Sequence, residues 1–405
     1  LAGSLIRDRI EFGARANRDL AADRPGRYAS LALQSEPSES ELYYQMVQLL
    51  KREFVDPIGD EDKLALGAVR GMIGSLLDPW SMYLDPVEFR ALQDRLQGKY
   101  AGIGVEARMR FSAEQIERLS TPEDEQDVAT LIPDVVITAV APGSPAAMAG
   151  IRPGDRVDSV NGRWLPSAQQ ITDFRNTVAK LQNDSGDPDA AAKLEKYRNE
   201  FRLRAEKTAL PAKALDQLTT GVSGQVTIGF ERAGKIETRT LTRRLTQVPA
   251  VVSSSKDTLS LRFFAGAAES LRSKTSGQAE LTLDLRNSGE GDFEAMRRCL
   301  ALLLPSGTYG SITKANGSSP RPLTVSSGTE NPPKLTLIVD ETTEGAAQVF
   351  ALVLQSAGRA KVAGKLKNEA ARVINVYRLP DGSGYTLVTG LYSTRKVASS
   401  SRQSK

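Results

Sequence analysis

One stretch near the C-terminus limits the fold more than any other. Leu335-Thr336-Leu337-Ile338-Val339 is an apolar, β-branched run ended by Asp340, which is the composition and length of a strand buried in a parallel sheet. After Glu341-Thr342-Thr343-Glu344, the residues Val349, Phe350, Val353 and Leu354 recur at helical spacing as far as Ser356-Ala357-Gly358-Arg359. The unit is strand, tight turn, helix. A further strand pattern covers 360–364, and Val373-Ile374-Asn375-Val376-Tyr377 runs into the hairpin signal Pro380-Asp381-Gly382. Two upstream segments repeat the alternation. Leu259–Phe264 precedes a helical pattern at 267–273, and Leu281–Asn287 leads through Ser288-Gly289-Glu290-Gly291 into a helix marked by Phe293, Met296, Cys299, Leu300 and Leu303. The series predicts a mostly parallel α/β domain over 248–395 with right-handed crossovers. In such a sheet, ligands and nucleophiles sit on the turn between a strand's carboxyl end and the next helix. Here that turn opens onto Gly345-Ala346-Ala347, which carry no reactive side chain.

Composition narrows the chemistry. The 405 residues include no histidine, which removes histidine-dependent triads, imidazole bases and nearly every catalytic zinc site; no metal or other cofactor is expected. The 53 basic and 49 acidic residues are interspersed rather than blocked, so nucleic acid is not an expected partner. The single cysteine, Cys299, belongs to a helical stripe and reads as core. No apolar run is long enough to span a bilayer. The sequence starts at Leu1, so any membrane contact is expected only through a removed upstream anchor.

The rest of the chain reads as separate pieces. Residues 1–40 form an extension with a short helical pattern at Leu5, Ile6, Ile10 and Phe12, and 396–405 are a polar tail. A helical domain is expected over 41–97, with stripes at Leu42, Met46, Leu49, Leu50 and Phe54, then Leu64 to Leu76, then Val87 to Leu96. At Gly98 the period becomes strand-like: Gly102 to Arg108 alternates, Val135–Val140 is a second strand, and Ser144-Pro145-Ala146-Ala147 leads to the turn Asn161-Gly162. The string from Ser144 to Gly162 resembles a PDZ domain of the permuted bacterial type, assigned here to 98–247. That resemblance implies capture of a protein or peptide C-terminus by strand addition beside Val105 to Arg108, with the N–H groups of Gly102, Ile103, Gly104 and Val105 receiving the carboxylate. Residues 166–209 interrupt it. Stripes at Ile171, Phe174, Val178, Leu181 and at Leu194, Tyr197, Phe201 predict an inserted helical hairpin, either an arm for a partner protein or a decorated loop.

Taken in order, Leu77-Asp78-Pro79-Trp80-Ser81-Met82-Tyr83-Leu84, the PDZ-like run, Leu283-Asp284-Leu285-Arg286-Asn287, Val339-Asp340-Glu341 and Gly358-Arg359-Ala360 resemble the C-terminal processing peptidases, the tail-specific serine proteases of family S41. The resemblance implies an α/β multidomain protein: an N-terminal helical domain, a PDZ domain with its inserted hairpin, and an α/β peptidase-like core. It also implies an extracytoplasmic location, periplasmic or in the cell envelope. Family members cleave with a serine, a lysine base and an assisting glutamine. Anchored on Gly358-Arg359-Ala360 and on Leu379-Pro380-Asp381-Gly382, those positions fall on Gly345, Ala370 and Ile374. The family's Asn-Pro-Gly-Gly oxyanion loop becomes Ser288-Gly289-Glu290-Gly291, where the Glu290 carboxylate is expected to oppose an oxyanion.

On this basis the sequence reads as a non-catalytic pseudopeptidase, a scaffold or regulator that binds C-termini or partner proteins. The alternative is an active serine-type endopeptidase using displaced residues, Thr343 and Lys367. A third reading, an unrelated enzyme using Asp284, Asp340, Glu341 and Glu344, competes with the ordinary role of such residues as caps and turn formers.

Overall fold

The computed structural model describes residues 39–394, apart from 57, 60–61, 77, 113–114, 116–131, 184–187, 254, 256, 276, 315–317, 330–331 and 367–370. The short helix expected near Leu5 and the polar tail therefore lie outside the described residues.

In chain order the first elements are α1 (Glu39–Glu53), α2 (Asp62–Gly74), β1 (Met82–Leu84), α3 (Pro86–Arg95), β2 (Lys99–Tyr100), β3 (Val105–Arg110), β4 (Asp134–Val140), α4 (Pro145–Met148), β5 (Arg156–Val160) and β6 (Arg163–Trp164). Next come α5 (Ala168–Asn183), α6 (Ala190–Ala205), α7 (Pro211–Thr219), β7 (Gln225–Arg232), β8 (Lys235–Thr242), β9 (Thr246–Gln247), β10 (Val251–Ser253), β11 (Thr258–Leu261) and α8 (Ala267–Thr275). The chain ends with β12 (Glu280–Asp284), α9 (Phe293–Ala301), β13 (Gly307–Thr313), β14 (Arg321–Val325), β15 (Lys334–Val339), α10 (Gly345–Ser356), β16 (Ala360–Gly364), β17 (Arg372–Arg378) and β18 (Gly384–Ser393). These fall into two compact units: one holds α1, α2 and the inserted segment 169–207, and the other the remaining described elements.

In the first unit the insertion forms the expected pair of helices. Phe174 of α5 stacks on Phe201 of α6 with ring centroids 3.8 Å apart, and on Tyr197 at 5.5 Å. The two apolar stripes thus meet ring to ring, the kind of contact that adds about 0.5–1.5 kcal/mol beyond area burial.

The second unit contains three large sheets, two of which the sequence leads one to expect. One has the order β3-β4-β5-β7-β8, with β6 hydrogen-bonded to β5; its pairs are antiparallel, and α7 packs on β3. The β5–β6 connection is the Asn161-Gly162 turn, with φ of 52° and 71°, the left-handed pair that a two-residue hairpin requires. The other sheet has the order β10-β11-β12-β15-β16. From β11 onward its pairs are parallel, as the alternation predicts, and β10 adds an antiparallel edge. Helices α8, α9 and α10 cover it around a core that includes Leu283, Leu337, Met296, Cys299 and Phe350, with the Phe263 and Phe350 rings 4.9 Å apart.

A further sheet, β1-β18-β13-β14 with β17 on β18, was not foreseen. Its strand β1 comes from the Asp78–Asp85 stretch, read from sequence as a link between helices. Three residues have no period to read, and their partner on β18 lies about 300 positions away: Met82 faces Thr386. Thr386 Oγ1 closes the joint by donating to Trp80 O at 2.7 Å. The stretch 41–97 is accordingly divided, because α3, with Phe89 and Leu92 buried, belongs to the second unit. Asp85 and Glu88 form a reciprocal capping box at its start, followed by Pro86 at the first helical position.

Phe350→Ala removes a fully buried ring from the α/β core and is expected to cost about 3–5 kcal/mol. Chemical denaturation read by far-UV circular dichroism checks this.

Candidate functional site

The site forms where two loops are laced together at the carboxyl ends of β12 and β15. Asp340 Oδ1 accepts from the Thr342 N–H, and the Thr343 hydroxyl accepts from the Asp340 N–H and donates to Leu285 O, each at 3.2 Å. Across from this turn, Asn287 adopts a left-handed φ of 57°. The Ser288 N–H donates to Thr342 O at 3.1 Å, and the Glu344 N–H donates to Ser288 O at 2.9 Å. Three of the four acidic residues of the third reading are thereby accounted for: Asp340 shapes the turn, Asp284 binds Arg286, and Glu344 binds Arg110 at 2.8 Å.

Between the laced loops, α3 and β17 lies a pocket with a cavity volume of about 50 Å³, open to solvent on one side. Gly289, Glu290 and Gly291 line one side, Gly345 and Ala346 line the helix end, and Ile374 and Val376 line the β17 side. Three of the sequence-derived positions therefore meet: the loop 289–291, Gly345 and Ile374. The fourth, Ala370, lies outside the described residues, as does Lys367. A Cβ added at Gly345 would touch only Gly289 O at 3.7 Å and Ile374 Cδ1 at 3.9 Å, although its φ of 56° disfavours a side chain. The remaining walls are apolar: Met82, Leu84, Leu92, Leu96 and Phe293.

The floor is charged. Arg95 grips Glu290 with both arms, Nε to Oε2 at 2.8 Å and an amino group to Oε1 at 3.1 Å. Arg108 lies 3.9 Å over the Trp80 ring and donates to Gly289 O at 3.3 Å. Glu106 accepts from the Tyr100 hydroxyl at 2.8 Å. Its other oxygen is buried without a partner against Gly289, where a Cβ would come within 2.5 Å of it. Burial, then the neighbouring Glu290 charge, pushes the Glu106 carboxyl up to about 7. Glu290 itself is held below the usual carboxylate range: burial opposes ionisation, but Arg95 and then Arg108 outweigh it. Glu290, expected from the sequence to oppose an oxyanion, has its charge bound by Arg95.

The four loop residues Gly102 to Val105 are positioned together and buried, next to α7. Their donors are in use: the Gly102 N–H donates to Gly221 O at 2.7 Å, that of Ile103 to Leu218 O at 3.0 Å, and that of Gly104 to Ala101 O at 3.3 Å. Among the described residues no helix is long and apolar enough to cross a membrane, and no cluster of three metal-ligating side chains occurs.

Three family models match segments of the chain. Residues 258–403 match peptidase family S41, 136–186 match a PDZ domain, and 23–87 match the N-terminal domain of the activating protease CtpB. The chain holds a PDZ domain and, after it, a domain that matches peptidase family S41. It is 23% identical to the carboxy-terminal processing protease CtpB of Bacillus subtilis (strain 168), over 91% of this chain and 68% of that protein. It is also 23% identical to a probable CtpA-like serine protease of Staphylococcus aureus (strain N315), over 80% of this chain and 55% of that protein. It thus spans between about half and two thirds of these relatives' lengths. Among solved structures, the photosystem II D1 C-terminal processing protease shares the fold with a TM-score of 0.56 at 20% identity, covering 89% of both chains.

These relatives overturn one expectation. The sequence reading made this chain a non-enzyme, whereas both curated relatives are named as proteases. That reading does not stand.

Sequence reasoning missed Arg95 and Arg108, which line the pocket, and Trp80 and Glu106, which lie against Arg108 and Gly289. A signal existed for two of them, since Glu106 and Arg108 are charges two apart in an otherwise strand-like run. Arg95 carried none, being one cation among many on a helix.

Two outcomes are expected. Arg95→Met leaves Glu290 buried and unpaired and should destabilise by about 3–5 kcal/mol, with Arg95→Met/Glu290→Gln recovering most of the loss in a double-mutant cycle. For Glu106, a folded-state value raised to about 7 means that the folded state holds the proton more tightly. Its contribution is full in acid and is lost as pH rises from the ordinary carboxylate range through about 7. Denaturation midpoints of Glu106→Gln should accordingly fall less between pH 5 and 8 than those of the parent.

Proposed function

We propose that this chain is a C-terminal processing endopeptidase that captures an unstructured polypeptide tail through its PDZ domain and cleaves the bound chain. The observation that carries the reading is the joint presence of a PDZ domain and an S41 domain, with a pocket beside the loops that follow β12 and β15. The apolar walls suit an aliphatic side chain, and the loop 289–291 faces the first turn of α10, so backbone N–H groups surround the place of a scissile carbonyl. A location outside the cytoplasm belongs to the same proposal.

The described conformation is a resting one in this reading. The PDZ loop donors are bound to Leu218 and Gly221, and the Thr343 hydroxyl, 1% exposed, is bound to Leu285 O and Asp340 N. Tail binding must release both, so the apparent affinity is lowered by the fraction of closed molecules. Thr343 is the nucleophile of the proposal and Lys367 its base, the displaced pair in place of Gly345 and Ala370.

The test is a mass-spectrometric cleavage assay on an unstructured polypeptide with an apolar C-terminus. Cleavage should be lost in Thr343→Ala and in Lys367→Ala, and a substrate ending in an amide should be taken at least about tenfold less well. Cleavage unaffected by both substitutions would move the chemistry to other residues. Absence of hydrolysis in the parent protein sinks the peptidase reading.

A further inference from the structure

The joint between the PDZ sheet and the loop 289–291 holds buried polar atoms that the peptidase reading does not use. Glu106 of β3 is 2% exposed, and its Oε2 has no partner. In the β3–β4 ladder Glu106 faces Ala139 and Ala107 faces Ile137, so Thr138 is an extra residue on β4. A bulge of this kind re-aims a side chain, and the Thr138 hydroxyl is likewise buried without a partner. Both orphans converge on Gly289: a Cβ there would lie 2.5 Å from Glu106 Oε2 and 3.2 Å from Thr138 Oγ1. Further along β3, Arg108 donates to Gly289 O at 3.3 Å while its Nε is buried without a partner. One strand thus turns a buried acceptor and a buried donor to the same glycine without joining them, which leaves both unsatisfied.

Charge decides when the two are joined. With Glu106 protonated, Arg95 is matched by Glu290, and Arg108 has only a neutral carbonyl and the face of the Trp80 ring. With Glu106 ionised, Arg108 gains a carboxylate of its own. That acceptor outcompetes Gly289 O, since a charge-assisted hydrogen bond is about twice as strong as a neutral one. The titratable and charged groups facing Glu106 are the Tyr100 hydroxyl of β2, which donates to Oε1 at 2.8 Å, Glu290, Arg95 of α3, Arg108 of its own strand, and Arg262 after β11. Burial and then Glu290 push its carboxyl up to about 7, so both protonation states are populated near neutral pH.

We propose that Glu106 is a proton-operated latch between the PDZ sheet and the loop 289–291. Protonated, it bonds the Thr138 hydroxyl and leaves Arg108 on the Gly289 carbonyl, which ties the loop to β3. Ionised, it draws Arg108 off Gly289 and away from the Trp80 ring, and the loop is released. Because Gly289, Glu290 and Gly291 line the pocket, the shape of that wall then follows pH. Glu106 is a positioning residue: it acts through Arg108 and touches no substrate. The latch rests on this interface and needs no cleavage. Under the peptidase reading it makes kcat, rather than KM for the PDZ-held tail, depend on the proton.

The test follows Trp80 and the loop in the full chain as pH is raised from the ordinary carboxylate range to the alkaline side of neutral. Trp164→Phe leaves Trp80 alone of the two tryptophans. Its fluorescence is expected to change in one transition at or below about pH 7, as the guanidinium leaves the ring. Hydrogen exchange of residues 285–292, corrected for its intrinsic pH dependence, should be roughly fivefold faster above the transition than below it. Glu106→Gln, which keeps the shape of the protonated acid, should abolish both changes and keep the loop protected throughout. Tyr100→Phe removes a hydrogen bond to the ionised carboxylate and should move the transition up by about one pH unit. No transition in the parent chain, one that survives in Glu106→Gln, or one that Tyr100→Phe leaves in place would each overturn the latch. So would a Trp80 change without faster exchange of the loop. If Trp164→Phe or Glu106→Gln fails to fold, exchange in the parent chain and in Tyr100→Phe still decides. Loss of tail cleavage at every pH with these transitions intact sinks only the peptidase reading.

Discussion

A buried carboxylate in the loop 289–291 is an electrostatic problem, and the site depends on how Arg95 solves it. The pair with Glu290 is only 12% exposed on each side, so neither partner can fall back on water. Because Arg95 sits on α3 and Glu290 between β12 and α9, the interaction joins elements about 200 residues apart and sets the height of the pocket floor. Two of the charged neighbours come from the PDZ sheet. Arg108 and Arg110 of β3 reach Gly289 and Glu344 respectively, so the strand expected to receive a tail also holds the loops that line the pocket.

The same joint explains the glycines of the loop. A Cβ at Gly289 would run into the Glu106 carboxylate and the Thr138 hydroxyl, and one at Gly291 would lie within 3.3 Å of Phe263 and Ala346 carbons. A side chain at 289 would push β3 and β4 off the peptidase core. Asn287 adds a neutral clamp, since its amide bonds both the N–H and the carbonyl of Val140 on β4. Hydrogen bonds and packing thus fix the backbone that the ion pair alone would leave free to rotate.

How much of this could be read beforehand follows from the range of each interaction. Local and periodic features were legible: the parallel strands 281–285 and 335–339, the helical hairpin with Phe174 and Phe201, and the turn at Asn161-Gly162. Gly289, Gly345 and Ile374, which line one pocket, were singled out by the resemblance to the peptidase family and not by any local pattern. The strand Met82–Leu84, the Arg95–Glu290 pair and the engagement of Ile103 by Leu218 were not legible, since each depends on a partner far along the chain or on a backbone carbonyl that every residue owns. The consequence for Glu290 was misjudged for the same reason: the sequence displays its charge but not the cation that meets it.

The pairing of β1 with β18 also has a meaning for the order in which the molecule is made. A ribosome delivers residues 82–84 some 300 residues before the strand that receives them, and until then Trp80 and Met82 lack the β18 partner that holds them in the folded protein. Contacts of such separation close late and slowly. The floor of the pocket rests on this closure, because Arg108 stacks on Trp80, whose carbonyl is held by Thr386. The nascent chain can complete its PDZ sheet well before that point, but it cannot assemble the pocket until almost its last strand has emerged, so the site is withheld from any molecule whose synthesis stops short.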